Sequence, residues 1–268
     1  MKVAAIQMVS STDVPRNLQS ARRLLAEAAG AGAELAVLPE YFCLMGQNEG
    51  DKLLVAESPG GGPIQDFLAD AASRLGLWIV GGTLPLVCSD PTRVRKSCLV
   101  YSPAGACVAR YDKIHLFRFD DGSNRFDETC SIEPGTTPQT FVLAARDGSV
   151  RKVGMSVCYD LRFPELYRAL QADLLLVPSA FTYITGQAHW EILLRARAVE
   201  NLAYVLAAAQ GGTHENGRRT WGQSMLVGPW GEMLAQQAEG AGVVMGEVSK
   251  ARLQEVRQRL PALNHRML

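Results

Sequence analysis

No net charge, no extended apolar stretch and no paired-cysteine motif are found in this sequence. Its 268 residues carry 27 Lys and Arg against 27 Asp and Glu, so the formal net charge is zero. Nucleic-acid-binding proteins normally present a basic face, so the charge balance argues against that class while leaving room for a local patch. No apolar run approaches the ~18 residues of a membrane span. We therefore expect neither nucleic acid nor membrane as a partner.

Cysteine and histidine are also scarce, at six and four residues. The cysteines form no Cys-x-x-Cys pair, and no cysteine–histidine spacing fits a metal site. The first eight residues are too short for the apolar region of a signal peptide and lack a cleavage site. These features predict a cytoplasmic protein with mostly free thiols and no bound metal.

What the sequence does contain is a steady alternation of helix-like and strand-like segments. Apolar residues recur at helical spacing from Asp13 to Gly30, and Pro63 and Pro164 stand where further helices are expected to begin. Short apolar runs closed by Gly, Pro or polar residues are typical of buried strands. Besides the first helix, we expect helices at 63–75, 164–171, 187–201 and 251–259, and strands at 2–9, 34–38, 77–84, 97–101, 106–111, 153–157, 173–177, 204–209, 224–227 and 243–248.

Strands separated by helices predict an α/β fold, and the Ser-Pro-Ala-Gly turn at 102–105 predicts a hairpin and hence a mixed sheet. Residues 112–138 show no periodicity, and a loop of that length inside a domain is usually functional or disordered. The length allows one large domain or two small ones; because the chain contains no repeat or long linker, we expect a single domain over residues 1–268.

Three of the expected strands end in residues that can carry chemistry. Glu40 follows the strand 34–38, Lys113 follows the strand that ends at Tyr111, and Cys158 follows the strand 153–157. In open α/β sheets, ligand sites form beyond the carboxyl ends of the strands. We therefore expect a carboxylate, an amine and a thiol to meet at one edge of one sheet.

The setting of each residue suggests a role. Cys158 precedes a helix start, where the helix dipole favours a thiolate and the Tyr159 N–H could face an oxyanion. Apolar neighbours are expected to raise the pKa of Glu40 toward that of a general base, and Lys113 would place a fixed positive charge beside the oxyanion. Taken singly, a structural cysteine, a surface carboxylate and a lysine whose stem covers apolar surface are the alternatives.

Together with their neighbours, these residues resemble the nitrilase, or carbon–nitrogen hydrolase, superfamily. The resemblance covers essentially the whole chain. One departure is Gly228, which stands where the family usually has the Asp of Asp-Pro-Trp-Gly. We interpret this difference as a change in a turn that lies away from the catalytic residues. The motifs that carry the resemblance are Leu-Pro-Glu-Tyr at 38–41, Tyr-Asp-Lys-Ile-His-Leu-Phe at 111–117, Ser-Val-Cys-Tyr-Asp-Leu-Arg-Phe-Pro-Glu at 156–165, Pro-Ser-Ala-Phe at 178–181, Thr-Gly-Gln-Ala-His-Trp-Glu at 185–191 and Arg-Ala-Arg-Ala-Val-Glu-Asn at 195–201.

The resemblance implies a four-layer α-β-β-α sandwich, usually a homodimer or an assembly of dimers. It maps the catalytic residues onto Glu40, Lys113 and Cys158, and a second glutamate onto Glu128; Glu133 is a rival, but its Glu-Pro-Gly context indicates a turn. The implied reaction is hydrolysis of an amide carbon–nitrogen bond through a cysteine thioester, with release of ammonia and without a metal or organic cofactor.

Within the superfamily, the motifs are most similar to the branch that holds deaminated-glutathione amidase and ω-amidase, and more similar to the former. Their substrates are small α-keto acids that carry an amide. The substrate carboxylate needs a cation, which Arg162 could supply; the alternative is a helix-start Arg162 paired with Glu165. Tyr159, Phe181 and Thr185 are further candidates for the substrate pocket.

Other functions stay open. One is a different carbon–nitrogen hydrolase, acting on nitriles, N-carbamoyl compounds or aliphatic amides, and another is a binding protein that retained the fold. A third, a Cys–His peptidase, would need a histidine beside Cys158. We expect His115 to buttress the site and His189 to be a core histidine.

Overall fold

The computed structural model describes residues 1–120, 122, 125–265 and 267. Its helices are α1 (Val14–Gly30), α2 (Asp51–Leu54), α3 (Pro63–Leu75), α4 (Pro164–Leu170), α5 (Tyr183–Asn201) and α6 (Lys250–Arg259). The strands of the first half are β1 (Lys2–Gln7), β2 (Leu35–Val37), β3 (Trp78–Val80), β4 (Leu84–Val87), β5 (Val94–Tyr101), β6 (Cys107–Asp112), β7 (Arg118–Asp120) and β8 (Arg125–Asp127). Those of the second half are β9 (Thr140–Ala144), β10 (Val150–Met155), β11 (Leu174–Leu176), β12 (Tyr204–Ala207), β13 (Gly211–Thr213), β14 (Arg219–Trp221), β15 (Ser224–Val227), β16 (Met233–Gln237) and β17 (Gly242–Glu247).

Two mixed sheets form the centre of the fold. The first has the order β17-β1-β2-β3-β5-β4, with β6 paired to β5, and the second has the order β16-β15-β12-β11-β10-β9. In each sheet three central strands run parallel, β1-β2-β3 in the first and β10-β11-β12 in the second. Antiparallel strands flank them on both sides. The expected mixed α/β architecture is confirmed.

The helices cover the outer faces of the two sheets. On β1, side chains alternate, so Val3 and Ala5 join the core that faces the second sheet, whereas Ala4 and Ile6 join the core beneath α1 and α3. On the other side α4 contacts β10, and α5 contacts β12 and β15. The layer order is therefore α-β-β-α, as the resemblance implies. Among the described residues no helix is both long and apolar enough to cross a membrane.

Helix boundaries follow the local signals where those signals are strong. Asp13 caps α1 by accepting the Arg16 N–H at 2.7 Å. Helix α3 begins at Pro63 and ends before Gly76, which adopts φ +61°, a left-handed conformation that glycine takes without strain. The start of α1 and both ends of α3 agree with the sequence prediction.

Three element predictions were wrong in detail. The strand expected at 77–84 breaks into β3 and β4, because Gly82 (φ +52°) turns the chain where any side chain would overlap the Pro39 carbonyl. Helix α5 begins at Tyr183, before the expected residue 187. Its first turns include Gly186, where any side chain would overlap Trp221. The irregular segment 112–138 contains the β7–β8 hairpin and a 3-10 turn at Glu128–Cys130.

Candidate active site

The two sheets bring Glu40, Lys113 and Cys158 to one place. Glu40 follows β2 and Lys113 follows β6, both in the first sheet, whereas Cys158 follows β10 in the second. The prediction that the three meet at an edge of one sheet was therefore wrong. Stacking the sheets face to face places the carboxyl ends of both sets of parallel strands side by side. All three side chains are buried.

Glu128 completes a tight ion cluster with the first two residues. Lys113 Nζ lies 2.9 Å from Glu40 Oε1 and 2.9 Å from Glu128 Oε2. Glu128 sits on the 3-10 turn after β8 and also accepts the Phe117 N–H at 2.8 Å. The rival carboxylate, Glu133, pairs instead with Arg95. The geometry thus places Glu128, and not Glu133, beside the lysine.

A second lysine, Lys96 on β5, is part of the same cluster and was missed by sequence reasoning. Its Nζ lies 3.0 Å from Glu40 Oε1, also binds Glu128 Oε1, and donates to the Tyr41 hydroxyl at 2.6 Å. The side chain is 5% exposed, as expected for a charge that is compensated. The available signal was a lysine inside the apolar strand Val94–Tyr101, where an unpaired charge would be costly.

The two lysines set the ionisation of the carboxylates. Burial raises the pKa of Glu40, but the charges of Lys113 and Lys96 outweigh burial and hold that pKa below its usual value. Burial likewise raises the pKa of Glu128, but the charges of Lys113 and Lys96 outweigh burial and lower it. Burial lowers the pKa of Lys113, yet Glu128 and Glu40 raise it well above its usual value. The prediction of a raised pKa at Glu40 was therefore wrong, and the cluster holds two carboxylates and two ammonium groups.

Cys158 rests as a neutral thiol. Burial raises its pKa, the Glu40 carboxylate raises it further, and Lys113 opposes them only in part. The expected thiolate at a helix start was wrong: Cys158 opens a 3-10 turn, Cys158–Arg162, and α4 begins only at Pro164. Its backbone is held in a left-handed conformation at φ +51°, with its N–H bonded to Pro178 O at 2.9 Å. The thiol faces the Glu40 carboxylate and the Ala180 N–H.

A buried aspartate holds the turn that carries Cys158. Asp160 Oδ2 accepts the Val157 N–H at 2.8 Å and the Tyr111 hydroxyl at 2.7 Å. Asp160 Oδ1 accepts the His115 N–H at 3.0 Å, and the His115 ring stacks on Phe163 with centroids 3.7 Å apart. His115 thus braces the turn and does not point to the thiol.

The residues predicted to bind substrate line the same cavity as Cys158. This cavity is bordered by Glu40, Lys113, Glu128 and Cys158 together with Tyr159, Arg162, Phe181 and Thr185. None of the described residues that line it is a histidine, which disfavours a Cys–His peptidase. Thr185 shares a 2.8 Å hydrogen bond with Thr182.

No carboxylate in the part of the chain that the structure describes pairs with Arg162. Its Nη2 lies 3.3 Å from His189 Nδ1, and its guanidinium lies over the Tyr159 and Phe181 rings at 5.8 and 5.7 Å from their centroids. The alternative pairing with Glu165 is not formed. A guanidinium presented on aromatic faces keeps donors available for a carboxylate.

Tyr41, Phe117 and Arg218 also line the cavity and were not predicted. Arg218 lies in the loop between β13 and β14, where its guanidinium is 5.6 Å from the Tyr41 ring centroid and 5.4 Å from that of Phe126. Nothing in the local sequence distinguishes it from its neighbour Arg219, so its position depends on the fold.

This arrangement suits nucleophilic acyl transfer. A thiol faces a carboxylate that can accept its proton, and the Lys113 ammonium group, which is bound to that carboxylate, also acts on the thiol. Such a preorganised cation stabilises negative charge that develops on a carbonyl oxygen. The site can thus form and hydrolyse a thioester with its own side chains.

Comparison with known proteins gives the same picture. Residues 2–258 match the carbon-nitrogen hydrolase family. Over 270 residues the chain is 40% identical to the deaminated glutathione amidase of Synechocystis sp. (strain PCC 6803 / GT-S), which covers 98% of this chain and 97% of that protein. Thus a relative of nearly equal length matches from end to end.

Two solved structures are similar as well. The NitFhit protein of Caenorhabditis elegans has a TM-score of 0.88 at 34% identity; the match covers 99% of this chain, which spans 65% of that longer chain. An amidase from Nesterenkonia sp. AN1, with acrylamide added to its active-site cysteine, has a TM-score of 0.79 at 28% identity over 97% of this chain and 98% of that one. From the family match, the end-to-end identity and the shared architecture, we conclude that the chain belongs to the carbon–nitrogen hydrolase family.

Proposed function

We propose that this protein is a thiol-dependent amidase that hydrolyses the amide bond of a small α-keto acid, with deaminated glutathione as its preferred substrate. The observation that carries the proposal is the buried Cys158 thiol facing the Glu40 carboxylate, which is bound to Lys113. The Synechocystis relative is named deaminated glutathione amidase, which supports the substrate class. The reaction is hydrolysis of a carbon–nitrogen bond other than a peptide bond.

In the first half-reaction Glu40 accepts the thiol proton while Cys158 Sγ attacks the amide carbonyl carbon. The resulting oxyanion is stabilised by the Lys113 ammonium and the Tyr159 N–H. Glu40 then returns the proton to the amide nitrogen, the carbon–nitrogen bond breaks and the amine leaves. The acyl group stays on Cys158 as a thioester, which splits one difficult displacement into two easier steps.

In the second half-reaction water attacks the thioester. Glu40 accepts a proton from that water, the carbon–sulfur bond breaks, and the thiolate of Cys158 regains its proton as the acid leaves. Glu128 is a positioning residue in this scheme, because it binds Lys113 at 2.9 Å and keeps the ammonium group in place.

The leaving group depends on the substrate. A primary amide such as α-ketoglutaramate releases ammonia, whereas an amide whose nitrogen carries a further substituent releases the corresponding amine. In deaminated glutathione that nitrogen belongs to cysteinylglycine, so the product of this substrate is the dipeptide and not ammonia. An assay should therefore follow the keto acid, which both substrates release as 2-oxoglutarate.

A homodimer is part of the proposal. Ile184, Ile192 and Val199 are exposed along α5 at helical spacing, and Trp230 is exposed as well. Exposed apolar patches of this kind typically mark protein–protein contacts. We also propose a cytoplasmic location, since the six cysteines are free thiols and a thiol nucleophile is kept active by a reducing compartment.

The mechanism predicts that Cys158→Ala folds normally and loses turnover and thioester formation. Intact-mass spectrometry during turnover should show the acyl adduct in wild type and in the control Cys107→Ala, which removes an exposed thiol, but not in Cys158→Ala. Release of keto acid by purified Cys158→Ala at the wild-type rate would rule the mechanism out.

The substrate class is tested by comparing kcat/KM for deaminated glutathione, α-ketoglutaramate, a simple nitrile and an N-carbamoyl amino acid. We expect deaminated glutathione to be the best of the four. Preference for the nitrile or the carbamoyl compound would keep the family chemistry and reject the proposed substrate. Absence of turnover together with a Cys158 that substrate does not protect from iodoacetamide would favour a binding protein.

A further inference from the structure

A second cavity adjoins the one that holds Cys158. Its walls combine apolar side chains such as Leu44, Leu84 and Ile132 with the polar residues Glu49 and Lys52. Tyr41 and Arg218 line both cavities, so the two are neighbours across these side chains. The steps of the proposed reaction involve only the cavity that holds Cys158.

Among the described residues, Arg218 is the cation between the two cavities whose guanidinium has no acidic partner. Lys96, which also lines the second cavity, is bound to Glu40 and Glu128. Lys52 is bound to Glu49 and to the Ser131 hydroxyl. By contrast, no acidic side chain of the described residues lies within ion-pair distance of the half-buried Arg218, which is instead held by the faces of two aromatic rings.

Arg162 and Arg218, neither of which pairs with a carboxylate of the described residues, stand on different walls of the site. Arg162 lies over Tyr159 and Phe181, whereas Arg218 lies over Tyr41 and Phe126. The two sets share no ring, and only Arg218 also faces the second cavity. A ligand that carries a carboxylate on each side of its scissile amide would satisfy both guanidinium groups.

We propose that the second cavity binds the leaving amine of the substrate and that Arg218 binds a carboxylate on that amine. The substrate class is therefore an N-substituted amide whose amine portion is itself anionic, and Arg218 is a specificity-determining residue. The inference rests on the proposed amidase function and deepens it. Deaminated glutathione has such a group in the glycine carboxylate of cysteinylglycine, whereas the primary amide of α-ketoglutaramate has none.

Kinetics on three substrates with the same acyl group test this assignment. They are deaminated glutathione, its C-terminal carboxamide and α-ketoglutaramate, all followed by release of 2-oxoglutarate. The variants are Arg218→Gln and, as a matched control, Arg219→Gln, whose arginine is half exposed and pairs with Glu239. Circular dichroism checks that both variants fold.

Removing a charge-assisted hydrogen bond is expected to lower kcat/KM of Arg218→Gln for deaminated glutathione by about 10- to 100-fold. The wild type should disfavour the carboxamide by a similar factor, and Arg218→Gln should add nothing further on that substrate. Turnover of α-ketoglutaramate should change less than about threefold, because its leaving group makes no contact in the second cavity. Arg219→Gln should resemble wild type on all three.

Equal losses by Arg218→Gln on all three substrates, or no loss on deaminated glutathione, would overturn the assignment and leave the amidase function intact. A wild type that acts on α-ketoglutaramate alone would overturn the assignment and change the proposed substrate. A wild type inactive on all three would overturn both. The outcomes thus separate the role of Arg218 from the activity itself.

Discussion

At the scale of single residues, the active centre is a balance of four buried charges. Glu40 and Glu128 contribute two negative charges, and Lys96 and Lys113 contribute two positive ones. Two buried carboxylates beside one ammonium group would leave an uncompensated negative charge, which burial disfavours. Lys96 therefore allows both carboxylates to stay ionised, so that Glu40 is ready to accept a proton.

This balance predicts a change in the pH profile when Lys96 is replaced by Met. Activity needs ionised Glu40 and is lost as the pH falls through the pKa of that carboxyl. Removing a neighbouring cation raises this pKa, so the acidic limb of kcat/KM should move up by about 1–3 pH units. The measurement is kcat/KM for α-ketoglutaramate between pH 4 and 9.

Two further variants make the result decisive. Lys96→Arg retains the charge and should keep the wild-type acidic limb, while Lys152→Met removes an exposed lysine of β10 and should leave the profile unchanged. An acidic limb of Lys96→Met that coincides with the wild-type limb would show that Lys96 does not govern the ionisation of Glu40.

At the scale of elements, the turn after β10 decides where the nucleophile points. Asp160 receives hydrogen bonds from the backbone of Val157, from Tyr111 and from His115, so one carboxylate joins its own turn to the segment 111–115. Those bonds hold the left-handed conformation of Cys158, which a non-glycine residue adopts only when its surroundings enforce it. The turn after β10 therefore serves to position the Cys158 side chain.

Asp160→Asn is expected to lower the free energy of unfolding by about 1–3 kcal/mol, because an amide has one acceptor oxygen and leaves a buried donor unsatisfied. Urea denaturation measures this loss. A drop in kcat should accompany it, since the turn carries Cys158. Glu165→Gln, an exposed change at the start of α4, is the control and should alter neither quantity. Wild-type stability and kcat for Asp160→Asn would contradict the role given to this turn.

Sequence patterns predicted elements well where local chemistry was strong. Helix α3 matched because Pro63 and Gly76 each favour a boundary conformation. The predicted start of helix α5 was too late. Glycine is unfavourable inside a helix, and the close approach of Trp221 that requires Gly186 is not visible in the sequence. The hairpin β7–β8 was missed because two three-residue strands give too little periodicity to detect.

At the scale of the whole molecule, the exposed stripe on α5 predicts assembly. Ile192→Asp places a charge in the centre of this stripe and should convert the proposed dimer to a monomer, since burying an unpaired charge at an interface is costly. Analytical ultracentrifugation of wild type and variant gives the oligomeric state. Leu54→Asp is the control: Leu54 is 86% exposed on α2, which packs against the first sheet, whereas α5 packs on the second. A wild type that sediments as a monomer would refute the dimer.

The contiguous motifs around Glu40, Lys113 and Cys158 were enough to predict these residues, and Glu128 after them, through their resemblance to the family. The α/β class follows from periodicity within single segments. These conclusions needed no knowledge of which segments lie next to one another.

The packing of the two sheets settled the rest. It formed the site from both sheets and placed Lys96 beside the carboxylates. It also lowered the pKa of Glu40, which was expected to be raised, kept Cys158 a thiol and placed Arg218 between two cavities. The physical reason is that electrostatic energy depends on distance through space and on burial. Both are fixed only when strands far apart in the chain come together, so a local pattern can indicate that Lys96 is buried but cannot identify its partners.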